Sequence, residues 1–258
     1  GSMMEVVYGN ERSVVQQVKE QLKPLNIGEL EIKPAGEKGL LVRTKALDED
    51  THQKVLGELK KHDATLVERS FDSIGPVIGA ELRSKSIWAI GIAMILILAY
   101  ITFTFRKVSY PVASWKYGST ALIALFHDLI TTIGVFAILG KFFDVELTSS
   151  FIPAFLTVLG FSVHDTIVVF DRIRENISKY KGEFADIVNK SLNETLVRSI
   201  NTSFTVMLVL VALLLFGGET IKQFALTLLI GIGLGTYSSI FVASPILVVW
   251  NNLSKRKK

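Results

Sequence analysis

The pattern of apolar and polar positions divides the chain into two parts. Up to Phe71 the apolar residues recur at short strand and helix periods: Glu5-Val6-Val7-Tyr8 reads as a strand, and Val14, Val15, Val18, Leu22 and Leu25 fall at helical spacing between Glu11 and Leu25. Leu30 and Ile32, closed by Pro34, suggest a second short strand, and Gly39-Leu40-Leu41-Val42 a third. Asp48 is placed to cap a helix over Glu49 to Lys61 carrying Val55, Leu56 and Leu59, and Ala64 to Phe71, with Leu66 and Val67, forms the last strand. The order β-α-β-β-α-β predicts a ferredoxin-like α+β domain over residues 4–75, an antiparallel sheet with two helices on one face. No ligand motif stands in it, which leaves it as a spacer or docking module. Gly1-Ser2-Met3 reads as a cloning scar and is set apart from the domain.

From residue 76 to 250 the periods give way to long apolar runs, at 87–105, 117–140, 147–170, 199–217 and 224–250. A bilayer core of about 30 Å needs roughly 20 helical residues, so each run is long enough to span it. The prediction is an α-helical membrane bundle of five spans, followed by a basic tail at 251–258 that is expected in the cytoplasm. Short connections set the orientation. Arg106, Lys107 and Lys116 follow the first span, Arg172, Arg174, Lys179, Lys181, Lys190 and Arg198 follow the third, and Lys255, Arg256, Lys257 and Lys258 form the tail. The other two connections hold only Lys141 and Lys222, so thirteen basic residues stand against two, and the N-terminal domain is expected outside the cytoplasm. An outward domain followed by an inward-running helix needs an export signal before it. A sixth span, upstream of residue 4, is therefore expected in the natural protein.

Composition narrows the function. The 258 residues are 49% hydrophobic and 20% charged, with 28 Lys and Arg against 24 Asp and Glu, and the mean hydropathy is +0.42. A net charge of +4 scattered along the chain does not make a nucleic-acid surface. Zero cysteines exclude thiol nucleophiles, thiolate metal sites and disulfides together. No Ser-His-Asp set, P-loop or zincin motif appears, so no enzyme activity and no cofactor is expected, and the His-Asp dipeptides lack the third ligand that a metal site needs.

Ionisable residues inside apolar runs cost roughly 2.5 to 3.5 kcal/mol on insertion scales, which makes each a functional candidate. His127 and Asp128 lie mid-span in the second run, His164 and Asp165 in the third, and Arg198 at the mouth of the fourth. Neighbours on a helix point about 100° apart, so one member of each dipeptide faces the bundle. Asp165 and Arg198 approach the membrane from the same side and are candidates for a buried ion pair that opens when the carboxylate is protonated; the alternatives are a permanent fastening for Asp165 and a plain interfacial anchor for Arg198. Asp128 is either neutral and hydrogen-bonded by a neighbouring hydroxyl or a second proton station. Phe170, Ile173 and Ile177 share one face of a charged segment that reads as an amphipathic helix at the cytoplasmic interface. In the last run Gly231, Gly233, Gly235, Ser238, Ser239, Ala243 and Ser244 allow close helix approach, and Pro153, Gly160 and Pro245 are candidate bends.

These features fall within segments that resemble one family. Gly160-Phe-Ser-Val-His-Asp-Thr-Ile-Val-Val-Phe-Asp-Arg-Ile-Arg-Glu-Asn176 is similar to the signature segment of SecF, the smaller membrane subunit of the SecD-SecF protein-export complex, itself related to the resistance-nodulation-division transporters. Ala124-Leu-Phe-His-Asp128, Glu194-Thr-Leu-Val-Arg-Ser199, Leu215-Phe-Gly-Gly-Glu219 and Gly235-Thr-Tyr-Ser-Ser-Ile-Phe-Val-Ala-Ser-Pro245 match it too. The resemblance implies a multi-pass protein of a bacterial or archaeal cell membrane that works with SecD and the Sec translocon channel. It implies further that the proton gradient drives completion of the export of unfolded preproteins. The family's proton-linked acid carries over to Asp165 and its arginine to Arg198. Many members have Asn before that acid where this chain has His164, which adds His164 to the candidates for sharing the proton. A scaffold that holds SecD to the channel without moving protons, and a free-standing solute exporter, are the competing readings.

Overall fold

The computed structural model describes residues 1–10, 13–73, 75–106, 112–143, 145 and 150–255. Glu11 and Leu147, expected element starts, and Lys107, Arg256, Lys257 and Lys258 lie outside the described residues. The chain forms two compact units, 1–87 and 88–258, and the division falls within a helix.

The first unit runs β1 (Ser2–Val7), α1 (Val15–Leu22) with a 3-10 turn over Lys23–Leu25, β2 (Glu31–Ala35), β3 (Gly39–Thr44), α2 (Glu49–Lys60) and β4 (Val67–Ser73). The strands form one antiparallel sheet in the order β2-β3-β1-β4, the split β-α-β layout expected from the pattern. Ser2 and Met3, set aside on sequence grounds, are part of β1: Ser2 pairs with Thr44 and Ser73, and its hydroxyl accepts the Leu47 N–H at 2.7 Å. Pro34 sits inside β2 instead of ending it, which an edge strand tolerates because it has a neighbour on one side only. Asp48 caps α2 by accepting the Thr51 N–H at 3.0 Å, and its bonds with Thr51 hold the carboxyl below the usual carboxylate range. Met4, Val6, Tyr8, Leu22, Leu40, Val55 and Leu59 fill the core between sheet and helices.

Five helical stretches among the described residues are long and apolar enough to cross a membrane. They are α3 (Pro76–Thr104), α4 (Ser114–Phe143), α5 (Phe151–Lys179), α6 (Phe184–Phe216), and α7 (Glu219–Ser238) continued by α8 (Ser244–Lys255). Between α7 and α8 lies a π-helical turn, Ser239–Ala243. Pro245 explains it: without an N–H, and with its ring against the carbonyl one turn back, proline cannot continue a regular α-helical ladder. The Ser244 hydroxyl donates to the Ser239 carbonyl at 3.0 Å within this turn. Pro153, by contrast, falls in the first turn of α5, where the missing N–H leaves nothing unpaired.

The segment expected as a separate interfacial helix is the last part of α5 itself. Phe170 and Ile173 are buried in the bundle's larger apolar cluster with Phe105, Tyr117, Phe184 and Leu247, so this face packs on protein rather than on lipid. A second cluster, Ala154, Val158, Leu210, Ala225, Leu228 and Ile232, occupies the other end of the same helices. Gly231 and Gly235 bring α7 onto α5: a Cβ on Gly231 would stand 2.3 Å from Val158 Cγ2, and one on Gly235 2.8 Å from Ser162 Cβ. On Gly233 it would meet nothing within 4 Å, so only two of the three glycines serve this contact.

Candidate functional site

On α5, α6 and the last span, polar side chains fall between members of the two apolar clusters, with Leu159 and Val163 of the larger cluster among them on α5. On α5 Ser162, Asp165 and Thr166 lie between Val158 and Val169, and on α6 Ser203 lies between Val188 and Leu210. On the last span Thr236, Ser238 and Ser239 lie between Ile232 and Ala243, and α4 adds Asp128. A hydroxyl-rich layer with two carboxylates therefore cuts across the middle of the bundle, and Asp128, Ser162, Asp165, Thr166, Ser203, Ser238 and Ser239 are all buried.

Asp128, wholly buried, is fully engaged. Its Oδ2 accepts from Ser162 Oγ at 2.6 Å and from Ser238 Oγ at 2.7 Å, and its Oδ1 lies 3.1 Å from Nδ1 of half-buried His127. One carboxylate thus ties α4 to α5 and to the end of α7. Charge-assisted bonds of this kind offset the cost of taking the group out of water. The Thr166 and Ser239 hydroxyls, 2.8 Å apart, make a second tie between α5 and the π-helical turn.

Asp165 is held differently. It is 3% exposed, and its Oδ2 accepts from Ser203 Oγ at 3.3 Å, longer than the bonds to Asp128. Ser203 Oγ lies 2.5 Å from Thr236 Oγ1, which in turn donates to the Ile232 carbonyl at 3.0 Å. No cation stands within ion-pair distance of Asp165 among the described residues. The expected pair with Arg198 is not formed: Arg198 is exposed and Ser203 takes the place opposite the acid. His164 is exposed as well. The structure therefore unites Asp165 and Asp128 with hydroxyls of which sequence reading named only Ser238 and Ser239, as small packing residues, and leaves Arg198 and His164 exposed. The signal for those hydroxyls is the spacing of Ser162 to Thr166 and of Thr195, Ser199 and Ser203, each four apart on its helix and so on one face.

The α5 and α6 ends carry a polar clasp. Arg172 Nε donates to Glu194 Oε2 at 2.7 Å and Arg172 Nη1 to Glu175 Oε2 at 2.6 Å. Asn176 Nδ2 donates to the same Glu194 oxygen at 2.7 Å and to Ser191 Oγ at 3.0 Å. Among the described residues no group of three or more His, Cys, Asp or Glu side chains is arranged to hold a metal.

A multi-pass helical membrane bundle with carboxylates buried among hydroxyls, joined to a ferredoxin-like unit, defines a class of membrane transport proteins. The family profile for protein export membrane protein SecD/SecF, C-terminal, matches residues 54–253. The chain belongs to that family. The protein translocase subunit SecF of Thermobaculum terrenum is 53% identical over 218 residues, which are 83% of this chain and 68% of the relative. That of Anaerolinea thermophila is 40% identical over 256 residues, 98% of this chain and 82% of the relative. The crystal structure of SecDF, a translocon-associated membrane protein from Thermus thermophilus, superimposes with a TM-score of 0.79 at 31% identity. The match covers 98% of this chain but spans only 33% of that longer chain.

Proposed function

We propose that the protein is a subunit of the Sec export machinery of a bacterial or archaeal cell membrane, working with SecD and the translocon channel on unfolded preproteins, and that Asp165 couples this work to proton movement. Two things support the assignment to export: the SecF relatives at up to 53% identity, and the SecDF structure, whose chain is about three times as long as this one. The missing length in that comparison is what a SecD partner would supply. The basic bias of the connections after the first and third spans favours a cytoplasmic tail and an N-terminal unit outside.

The observation that carries the proton reading is the contrast between the two buried acids. A buried carboxylate is costly unless it is paired or fully hydrogen-bonded. Asp128 accepts from two serine hydroxyls at 2.6 and 2.7 Å, lies against His127 Nδ1, and suits a permanent fastening of three helices. Asp165 accepts from Ser203 at 3.3 Å, has the Thr236 hydroxyl beside it, and forms no ion pair among the described residues, so it can take and release a proton without breaking one. In the state shown, Arg198 is free of the acid. An approach of Arg198 to deprotonated Asp165 would make a second state, which protonation would undo. Proton flux into proteoliposomes holding the full-length protein with SecD tests this. Asp165→Asn should abolish flux driven by a pH gradient, whereas His164→Ala should leave it within about twofold. Flux unchanged in Asp165→Asn would make the acid structural.

A further inference from the structure

Asp165 needs a route to water, and the buried face of α6 offers one. Ser191, Thr195, Ser199 and Ser203 recur every fourth residue on this helix, and all four are 6% exposed or less. Ser203 touches Asp165 at one end of the row, and Ser191 touches Asn176 at the other, beside Glu194 and Arg172. Serines and threonines at such spacing also serve close helix packing, and Ser191 and Thr195 each donate back to the carbonyl four residues earlier, at 2.7 and 2.9 Å. Packing does not account for two further atoms. Ser199 Oγ and Asn176 Oδ1 are buried with no hydrogen-bond partner among the described residues, on residues only 2% and 1% exposed. Buried polar atoms are almost always hydrogen-bonded, and water is the partner where protein supplies none.

The spacing suits water between the rungs. Four residues of helix rise about 6 Å, roughly twice a hydrogen-bond length, a span that one water is able to bridge. The whole row spans about 18 Å along the axis, the depth from the clasp to Asp165. Across from it on α5, Val169 and Ile173 are buried and apolar, which confines such a file to the α6 side.

We propose that Ser191, Thr195, Ser199 and Ser203 form a water-holding path that joins Asp165 to the Glu194 clasp at the cytoplasmic end of α5 and α6. This rests on the reading of Asp165 as the proton-coupled acid. Each hydroxyl and each water receives a proton on one oxygen lone pair and gives up another along the file. The last transfer forms an O–H bond on Asp165 and leaves Ser203 with the single proton it started with, so charge moves without any group being consumed.

These 258 residues hold no cysteine, so with any cysteines elsewhere in the complex replaced, an introduced thiol is the only one labelled. Ser199→Cys and Thr195→Cys are made in the full-length protein with SecD, and inverted vesicles are treated with a small, membrane-impermeant, charged methanethiosulfonate. Leu210→Cys, buried on α6 on the far side of Asp165, is the control. The path predicts that both positions react at least tenfold faster than the control; Thr195→Cys carries the test should Ser199→Cys fail to assemble. Rates equal to that of Leu210→Cys overturn the inference, even if Asp165→Asn stops proton flux, and the reading of Asp165 would then stand alone. Fast labelling together with unaltered flux in Asp165→Asn would overturn the reading of Asp165 and leave a hydrated face without its terminus.

Discussion

At the scale of single residues, the choice of partner for Asp165 decides what the acid can do. Arg198 and Ser203 are five residues apart on α6, about 140° around the helix, so they cannot face α5 together. The structure presents Ser203, and this gives a prediction that separates the two. In thermal unfolding of the full-length protein, a double-mutant cycle of Asp165→Asn with Ser203→Ala should show coupling of about 0.5 kcal/mol or more, as residues in contact do. The cycle with Arg198→Gln should be additive within about 0.5 kcal/mol, because the pair shares no contact in this state. Coupling confined to the arginine would mean that the ion-paired state dominates. The buried acids themselves were legible from sequence, since a charge in an apolar run is a local anomaly. Their partners were not, because which of several polar side chains reaches an acid depends on the rotation of a neighbouring helix.

Among the elements, α5 and α7 show where sequence pattern informs and where it stops. The β-α-β-β-α-β order was readable because strand and helix periods differ, and only its margins moved: β1 takes in Ser2 and Met3, and β2 runs through Pro34. The charges from Asp171 to Glu175 looked like the end of a span and the start of an interfacial helix. They are solvent-facing turns of a helix that simply continues, with Phe170 and Ile173 packed inward. Small residues in the last span announced close packing without saying which of them makes it. Gly231 and Gly235 face Val158 and Ser162, while Gly233 faces open space. Gly231→Ala and Gly235→Ala should each destabilise the bundle by about 1 to 3 kcal/mol through overpacking. Gly233→Ala should be neutral or stabilising by up to about 1 kcal/mol, since alanine is the better helix former. Equal losses at all three positions in thermal unfolding would show that the α5–α7 contact is not formed as described.

Over the whole molecule, two apolar clusters sandwich a layer of hydroxyls and carboxylates that none of the helices could form alone. In the proposed reading one of these acids fastens the bundle while the other takes up and releases a proton. The division of roles between Asp128 and Asp165 is the centre of the account, and export by inverted vesicles that hold the complete machinery measures it most directly. With Asp165→Asn, the complex with SecD should assemble at its normal level, and the stimulation of preprotein export by a proton gradient should be lost, down to the level seen without a gradient. Export that keeps its full response to the gradient in an assembled Asp165→Asn complex would contradict it.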